Sequence, residues 1–321
     1  MGSEMSLEPV RDIKIDPDLR VSDLIELYGD IHGFTASSVY RAHEILREMI
    51  LRSDVRFLSF TGNLVATGLR GLITQLIDEE VFNVIITTCG AVDHDIAKSL
   101  DPKGYMKGFF EADDLELYNK KIHRLGNIFI RLDSYGPAIE RFTYDLVDDL
   151  LKIKSEWSVR EILYEAGRRL SKDPNSFLGA AYRRNVPVYV PGITDGSFGT
   201  ALFTKSRVRS FKIDLFRDMS ELADIVFRAR STGALIIGGG ISKHHTIWWN
   251  QFREGLDYAV YITTAQEYDG SLSGARTREA ISWGKISKSA KHEVVIGEAS
   301  VILPILAVSM IRVKRSNIKT S

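Results

Sequence analysis

Near its C-terminal end the chain places an amine beside an indole, in Ser282-Trp283-Gly284-Lys285-Ile286. A lysine attacks carbon only when neutral, which at pH 7 costs about 4.6 kcal/mol from a reference pKa of about 10.4. Desolvation and neighbouring cations reduce that cost. A tryptophan two residues earlier offers an apolar wall and a π-face for a cationic ligand. The spacing predicts a short helix capped by Thr277, with Glu279 in its first turn, relaxed or ended by Gly284. Taken alone, the same pattern describes a surface lysine at a helix end.

Other reactive side chains stand in glycine-rich stretches. His244 and His245 are adjacent, so on a helix they diverge by about 100°, which does not suit a two-histidine metal site. Following Gly238-Gly239-Gly240, one of the two would reach a crevice at a strand end, and a structural role is the alternative for either. Cys89 has no second cysteine and no evident base beside it, and fits a small residue filling a strand end. Asp93, Asp95, Asp195 and Asp269 are too scattered for a metal motif, and turn or cap roles account for many such residues.

The elements that position these groups follow a repeated unit of short Val/Ile-rich strand, small-residue turn and helix. Strands are expected at 55–60, 83–88, 186–191, 233–240, 258–264 and 293–300. Near-continuous apolar strands alternating with helices indicate an α/β, doubly wound, mostly parallel sheet. Residues 1–51 are expected as an N-terminal helical extension and 52–321 as one α/β domain. A buried helix is expected at 299–311, and the basic tail after it fits a fraying end or a dock for an acidic partner. In an open α/β sheet, ligands bind outside the carboxyl ends of the strands. Five such ends, "TTCGAVDHD", "GITDGSFG", "IIGGGISKHH", "ITTAQEYDGSLSGA" and "IGEAS", converge on one crevice and suit a nucleotide-type ligand.

Composition narrows the class. The 321 residues are 44% hydrophobic and 26% charged, as expected of a packed globular protein. Lys+Arg and Asp+Glu both number 42, which argues against a general nucleic-acid binder. The single cysteine excludes an intrachain disulfide and suits a reducing cytoplasm. No signal peptide is evident, and the apolar run 299–311 is too short for a bilayer span, so no membrane association is expected.

Together, "FTGNLVATGLR", "TTCGAVDHD", "TDGSFG", "IIGGGISKHH" and "TTAQEYDGSLSGARTREAISWGKI" resemble the deoxyhypusine synthase family, especially its archaeal form, from about residue 57 to about residue 306. The resemblance implies a Rossmann-like NAD-binding fold and a homotetrameric transferase. It implies that NAD oxidises spermidine and that a lysine holds the aminobutyl group as an imine. The group then passes to one lysine of the precursor of the hypusine-bearing translation factor. By position Lys285 matches the imine-forming lysine and His244 the histidine that helps move protons. Gly284 is expected to give the lysine space. Asp93, Gly270, Ser271, Glu279 and Trp283 fall at polyamine-binding positions. Asn63, Thr88, Cys89, Gly90, Asp195, Gly239, Thr264, Ala265, Glu298 and Ala299 fall at NAD-binding positions, and no metal is implied.

The sequence departs from the eukaryotic pattern of that family. His94 replaces a glutamate, Glu298 an aspartate and Gly62 a serine. Thr200 and Leu272 stand where that pattern has aspartates contacting spermidine, and Asp269 or Glu267 are the candidates to compensate. The alternatives are a homospermidine-synthase-like enzyme using a small amine as acceptor and a non-catalytic NAD-binding subunit. Presence of both Lys285 and His244 counts against the second.

Overall fold

The computed structural model of the chain describes residues 8–320. Helices α1 (Val21–Ile31) and α2 (Phe34–Arg52) precede strand β1 (Val55–Phe60). Helices α3 (Gly62–Ala66) and α4 (Leu69–Asp78) lead to β2 (Val84–Ile86) and α5 (Cys89–Leu100). Then come β3 (Tyr105–Lys107), α6 (Asp114–Asn119), β4 (Ile122–Leu125) and β5 (Ile128–Arg131). Helix α7 (Gly136–Leu151), β6 (Glu156–Trp157), α8 (Val159–Leu170) and α9 (Phe177–Arg183) run on to β7 (Val188–Tyr189). The remainder holds α10 (Ser197–Val208), β8 (Lys212–Ile213), α11 (Leu215–Arg228), β9 (Thr232–Ile237), α12 (Gly240–Asn250) and β10 (Leu256–Thr263). It closes with α13 (Thr277–Ser282), β11 (Ile286–Ile296) and α14 (Ala299–Thr320).

Six strands form one sheet in the order β11-β10-β9-β1-β2-β7, and every pairing in it is parallel. The chain lays β1, β2 and β7 outward in one direction, then returns to the other side of β1 for β9, β10 and β11. The order therefore reverses between β1 and β9, where doubly wound sheets form their ligand crevice. All six residues of β9 are buried, because helices cover both faces at the centre of such a sheet. Helix α2 belongs to the same core: Ala42, Leu46 and Met49 pack with the sheet residues Leu58 and Leu235. A Cβ on Gly233 would sit 2.4 Å from Met49 Cγ, so α2 lies almost on the β9 backbone.

Three elements differ from the sequence expectation. The strand expected at 293–300 is β11, which begins at Ile286 and ends at Ile296. It is an edge strand with one neighbour, so its exposed Lys288, Ser289 and Lys291 hide it from an apolar pattern. The excursion after α5 contains an unexpected antiparallel sheet, β3-β5-β4. Leu125 pairs with Ile128, so Gly126-Asn127 makes a two-residue turn with Gly126 at φ 58°. The helix expected at 299–311 runs on through the basic tail to Thr320, and Arg315 pairs with Glu79. Among the described residues no helix is long and apolar enough to cross a membrane.

Candidate active site

Two glycines shape the crevice at the strand reversal. Gly238 ends β9 with φ 85°, a conformation that favours glycine, and a Cβ there would lie 3.1 Å from Thr61 Oγ1 at the end of β1. At Gly239 a Cβ would fall 2.1 Å from Ser273 Oγ, so only a glycine lets these two loops meet. Thr61 Oγ1 donates to Asn63 Oδ1 at 2.6 Å. Helices α5 and α12 both start at this edge, and neither has a side-chain cap. Apart from Ala91 N–H, which donates to Thr88 O at 3.1 Å, their first-turn N–H groups are left for an anion.

Lys285 is positioned by a helix C-terminus. Gly284 N–H donates to Ile281 O and Lys285 N–H to Ala280 O, both at 2.9 Å, with Gly284 at φ 68°. This is a Schellman ending, which stops α13 and turns the chain into β11. Beyond its chain neighbours Trp283 and Lys285, nothing lies within 4 Å of a Cβ built on Gly284. The backbone conformation at this position is what favours glycine. Arg276, not Thr277, is the N-cap of α13, and the Thr277 hydroxyl instead meets His292 Nδ1 at 2.9 Å.

The Lys285 side chain is 8% exposed. Its Nζ lies 5.2 Å from the Trp283 ring centroid and 5.8 Å from that of Trp248. His244 stacks on Trp248 with centroids 5.5 Å apart. Burial, and then the charge of Lys285, hold the His244 imidazole below its ordinary pKa. His245 points elsewhere: its Nε2 accepts from Trp249 Nε1 at 3.1 Å, and burial pushes its pKa down to about 4. A cavity of about 220 Å³ adjoins Lys285, with Gly270, Leu272, Glu279 and Trp283 also in its walls. Three cations, Lys243, Arg276 and Lys285, line it against one carboxylate, Glu279.

Asp93 and Asp195 lie in a different cavity, of about 570 Å³, lined also by Glu140 and Thr200 and by no basic residue. It shares no lining residue with the Lys285 cavity. Both Asp93 oxygens accept from the start of α10, from Ser197 N at 2.9 Å and Phe198 N at 2.8 Å, while Tyr135 Oη donates at 3.2 Å. Burial nevertheless raises the Asp93 pKa. Burial also pushes the Cys89 thiol up to about 12, which fits a strand-end filler and not a nucleophile.

Of the residues singled out in the sequence, Lys285, Glu279, Trp283 and Gly270 meet at one cavity, with His244 beside it. Ser271 is outside its lining, its N–H bound to Asp269 Oδ1 at 2.7 Å. Neither candidate replacement acid serves this cavity. Glu267 is engaged by Arg278 at 2.7 Å and Arg276 at 3.6 Å, and Asp269 is spent on its own turn. Asn63, Thr88, Cys89, Gly90 and Gly239 cluster at the ends of β1, β2 and β9. Thr264 and Ala265 follow β10. Glu298 and Ala299 follow β11, and Glu298 Oε2 accepts from Ser300 N at 2.8 Å. Sequence reasoning missed Lys243, Trp248 and Arg276. Trp248 lies four residues beyond His244, so helical spacing signals it, whereas Lys243, adjacent to His244, points to another face and carries no such signal. Among the described residues no group of three or more His, Cys, Asp or Glu is placed to hold a metal.

The fold and site define an α/β protein with a nucleotide-type crevice and a buried lysine at a helix end. The deoxyhypusine synthase family profile matches residues 23–310. Curated relatives named probable deoxyhypusine synthase are similar over nearly their whole length. That of Sulfurisphaera tokodaii is 54% identical, covering 96% of this chain and 98% of its own, and that of Aeropyrum pernix 55%, covering 94% and 97%. That of Thermoplasma acidophilum is 47% identical, covering 94% and 97%. A crystal structure of a provisionally named deoxyhypusine synthase from Entamoeba histolytica superposes with TM-score 0.64 at 21% identity, covering 94% of this chain and 96% of that one, which speaks to the fold. The chain belongs to the deoxyhypusine synthase family and is an enzyme of that type, a transferase of hypusine biosynthesis.

Proposed function

We propose that the chain transfers the aminobutyl group of spermidine, through an imine on Lys285, to a lysine of the hypusine-bearing translation factor precursor, with NAD as cofactor. The observation that carries this reading is Lys285 itself: a buried amine between two indoles, beside His244, in a cavity that also offers the Glu279 carboxylate. Glu279 takes a substrate ammonium. Trp248 and Trp283 keep water from the amine. Lys285 sheds its proton and attacks the C=N carbon of the oxidised polyamine. The C–N bond to 1,3-diaminopropane breaks, and the departing nitrogen takes up a proton. A neutral ring nitrogen of His244 can accept and return the proton, since burial and Lys285 both disfavour its charged form. NAD fits the crevice at the strand reversal, held by Asn63, Thr88, Gly90 and Gly239 and by the free amides of α5 and α12. When bound, NAD supplies the hydride acceptor for oxidation and the donor for the final reduction.

Charge supports completion of the site by a second copy, within the homotetramer that the resemblance implies. A polycation is poorly served by a cavity with three cations and one carboxylate, whereas the cavity of Asp93, Glu140 and Asp195 has three carboxylates and no basic residue in its lining. Opposed copies would bring the two together.

The test is borohydride trapping with NAD and spermidine, read by mass spectrometry. Wild type should carry an aminobutyl adduct on Lys285. Lys285→Arg should carry none, because a guanidinium stays protonated. An adduct on another residue, or an active arginine variant, refutes the reading. Transfer to a small amine but not to the translation factor precursor favours the homospermidine-like alternative.

A further inference from the structure

Lys243 is 1% exposed and forms no ion pair among the described residues. Its Nζ donates to Ala275 O at 2.8 Å and lies 4.2 Å from the centroid of the Tyr261 ring. Burial pushes its pKa down to about 8, against a smaller attraction from Glu279 and with a contribution from Arg276. An apolar side chain would fill this space without the desolvation penalty.

What the ammonium holds is the start of α13. Ala275 immediately precedes Arg276, the N-cap of that helix, which makes no side-chain cap bond. Six residues are too few to be helical by themselves. On the far side the loop is already pressed home: a Cβ on Gly274 would fall 1.9 Å from Gln266 O. Lys243 reaches across from α12, where the next residue is His244, while α13 carries Glu279 and delivers Trp283 at its end.

We propose that Lys243 is a positioning residue that locks α13 to α12 and so keeps Glu279 and Trp283 in register with His244. The consequence for substrate rests on the polyamine reading above; the lock itself does not.

Hydrogen exchange on the free protein therefore comes first. In Lys243→Met and Lys243→Gln, amides of 276–284 should exchange about tenfold faster, with the rest of the chain unchanged. In turnover, the spermidine KM should rise roughly tenfold in both with NAD affinity nearly constant, and kcat should fall as well, because the end of α13 also positions Lys285. Lys243→Arg, which keeps a cationic donor, should recover part of that KM. Exchange at the wild-type rate in 276–284 overturns the proposal. A loss of protection spread over the whole chain also overturns it, since Lys243 would then be a general core residue. If exchange rises locally while wild type forms no adduct with spermidine, the lock stands and the polyamine reading fails.

Discussion

Gly284 shows what one residue contributes to the site. Its φ of 68° is costly for an L-residue, yet the space where a Cβ would go is open. Gly284→Ala should therefore destabilise through backbone strain alone, by about 1–2 kcal/mol. Gly284→Asn should cost clearly less, because asparagine tolerates the left-handed region. Urea denaturation of the three proteins decides this; equal stability of alanine and glycine forms would refute the Schellman account. The sequence expected Gly284 to relax or end the helix, and the Schellman ending bears that out. A glycine after the last periodic residue signals a helix end, whereas the room it leaves the lysine cannot be read from a one-dimensional pattern.

Helix α5 carries three consecutive polar residues into the interior, Asp93, His94 and Asp95. His94 Nδ1 meets Tyr105 Oη at 2.7 Å, and burial, followed by the charge of Lys98, pushes its pKa down to about 4. The unfolded chain binds a proton there below about pH 6.5, while the folded one does so only near 4. Stability that is complete above the unfolded value is therefore lost as pH falls through this window. His94→Gln keeps a polar partner for Tyr105 but takes up no proton. Between pH 6.5 and 4.5 it should lose about 2 kcal/mol less stability than wild type. The buried carboxylates with raised pKa values, Asp93 and Asp95, act in the opposite direction but in both proteins alike. Thermal melts across that range test this, and parallel pH curves would refute it. At this scale the apolar strands β1, β9 and β10 were legible from their composition. The antiparallel β3-β5-β4 excursion was not recognised: Gly126-Asn127 suits a hairpin turn, but the flanking Ile122–Leu125 and Ile128–Arg131 are short and do not alternate apolar with polar residues.

For the whole molecule, opposite charge in two separate cavities is the feature that calls for a second copy. Lys285→Ala and Asp195→Asn each damage one cavity and should each be inactive. Mixed, dissociated and reassembled, they should recover about a quarter of wild-type activity, because half the pairs are mixed and each mixed pair holds one intact site. No recovery, or a monomer by light scattering at working concentration, would refute completion of the site between copies. Exposed aromatic side chains, Trp283 in the wall of the Lys285 cavity and Tyr268 two residues before Gly270 of that wall, would be buried in such a contact.

The sequence by itself determined the α/β class, and it offered the carboxyl ends of the strands as candidate positions for the chemistry. Both follow from local information, side-chain period and the glycine content of turns, whereas Lys285 and His244 stood out only through the family resemblance. Only the tertiary structure decided that Asp93 and Asp195 lie apart from Lys285, and that Glu267 is occupied by arginines. It alone revealed that a second lysine, Lys243, is buried against the loop before α13. These facts depend on which distant segments the sheet order brings into contact. Ala275 and Lys243 are 32 positions apart in the chain, and only the placement of α13 beside α12 joins them.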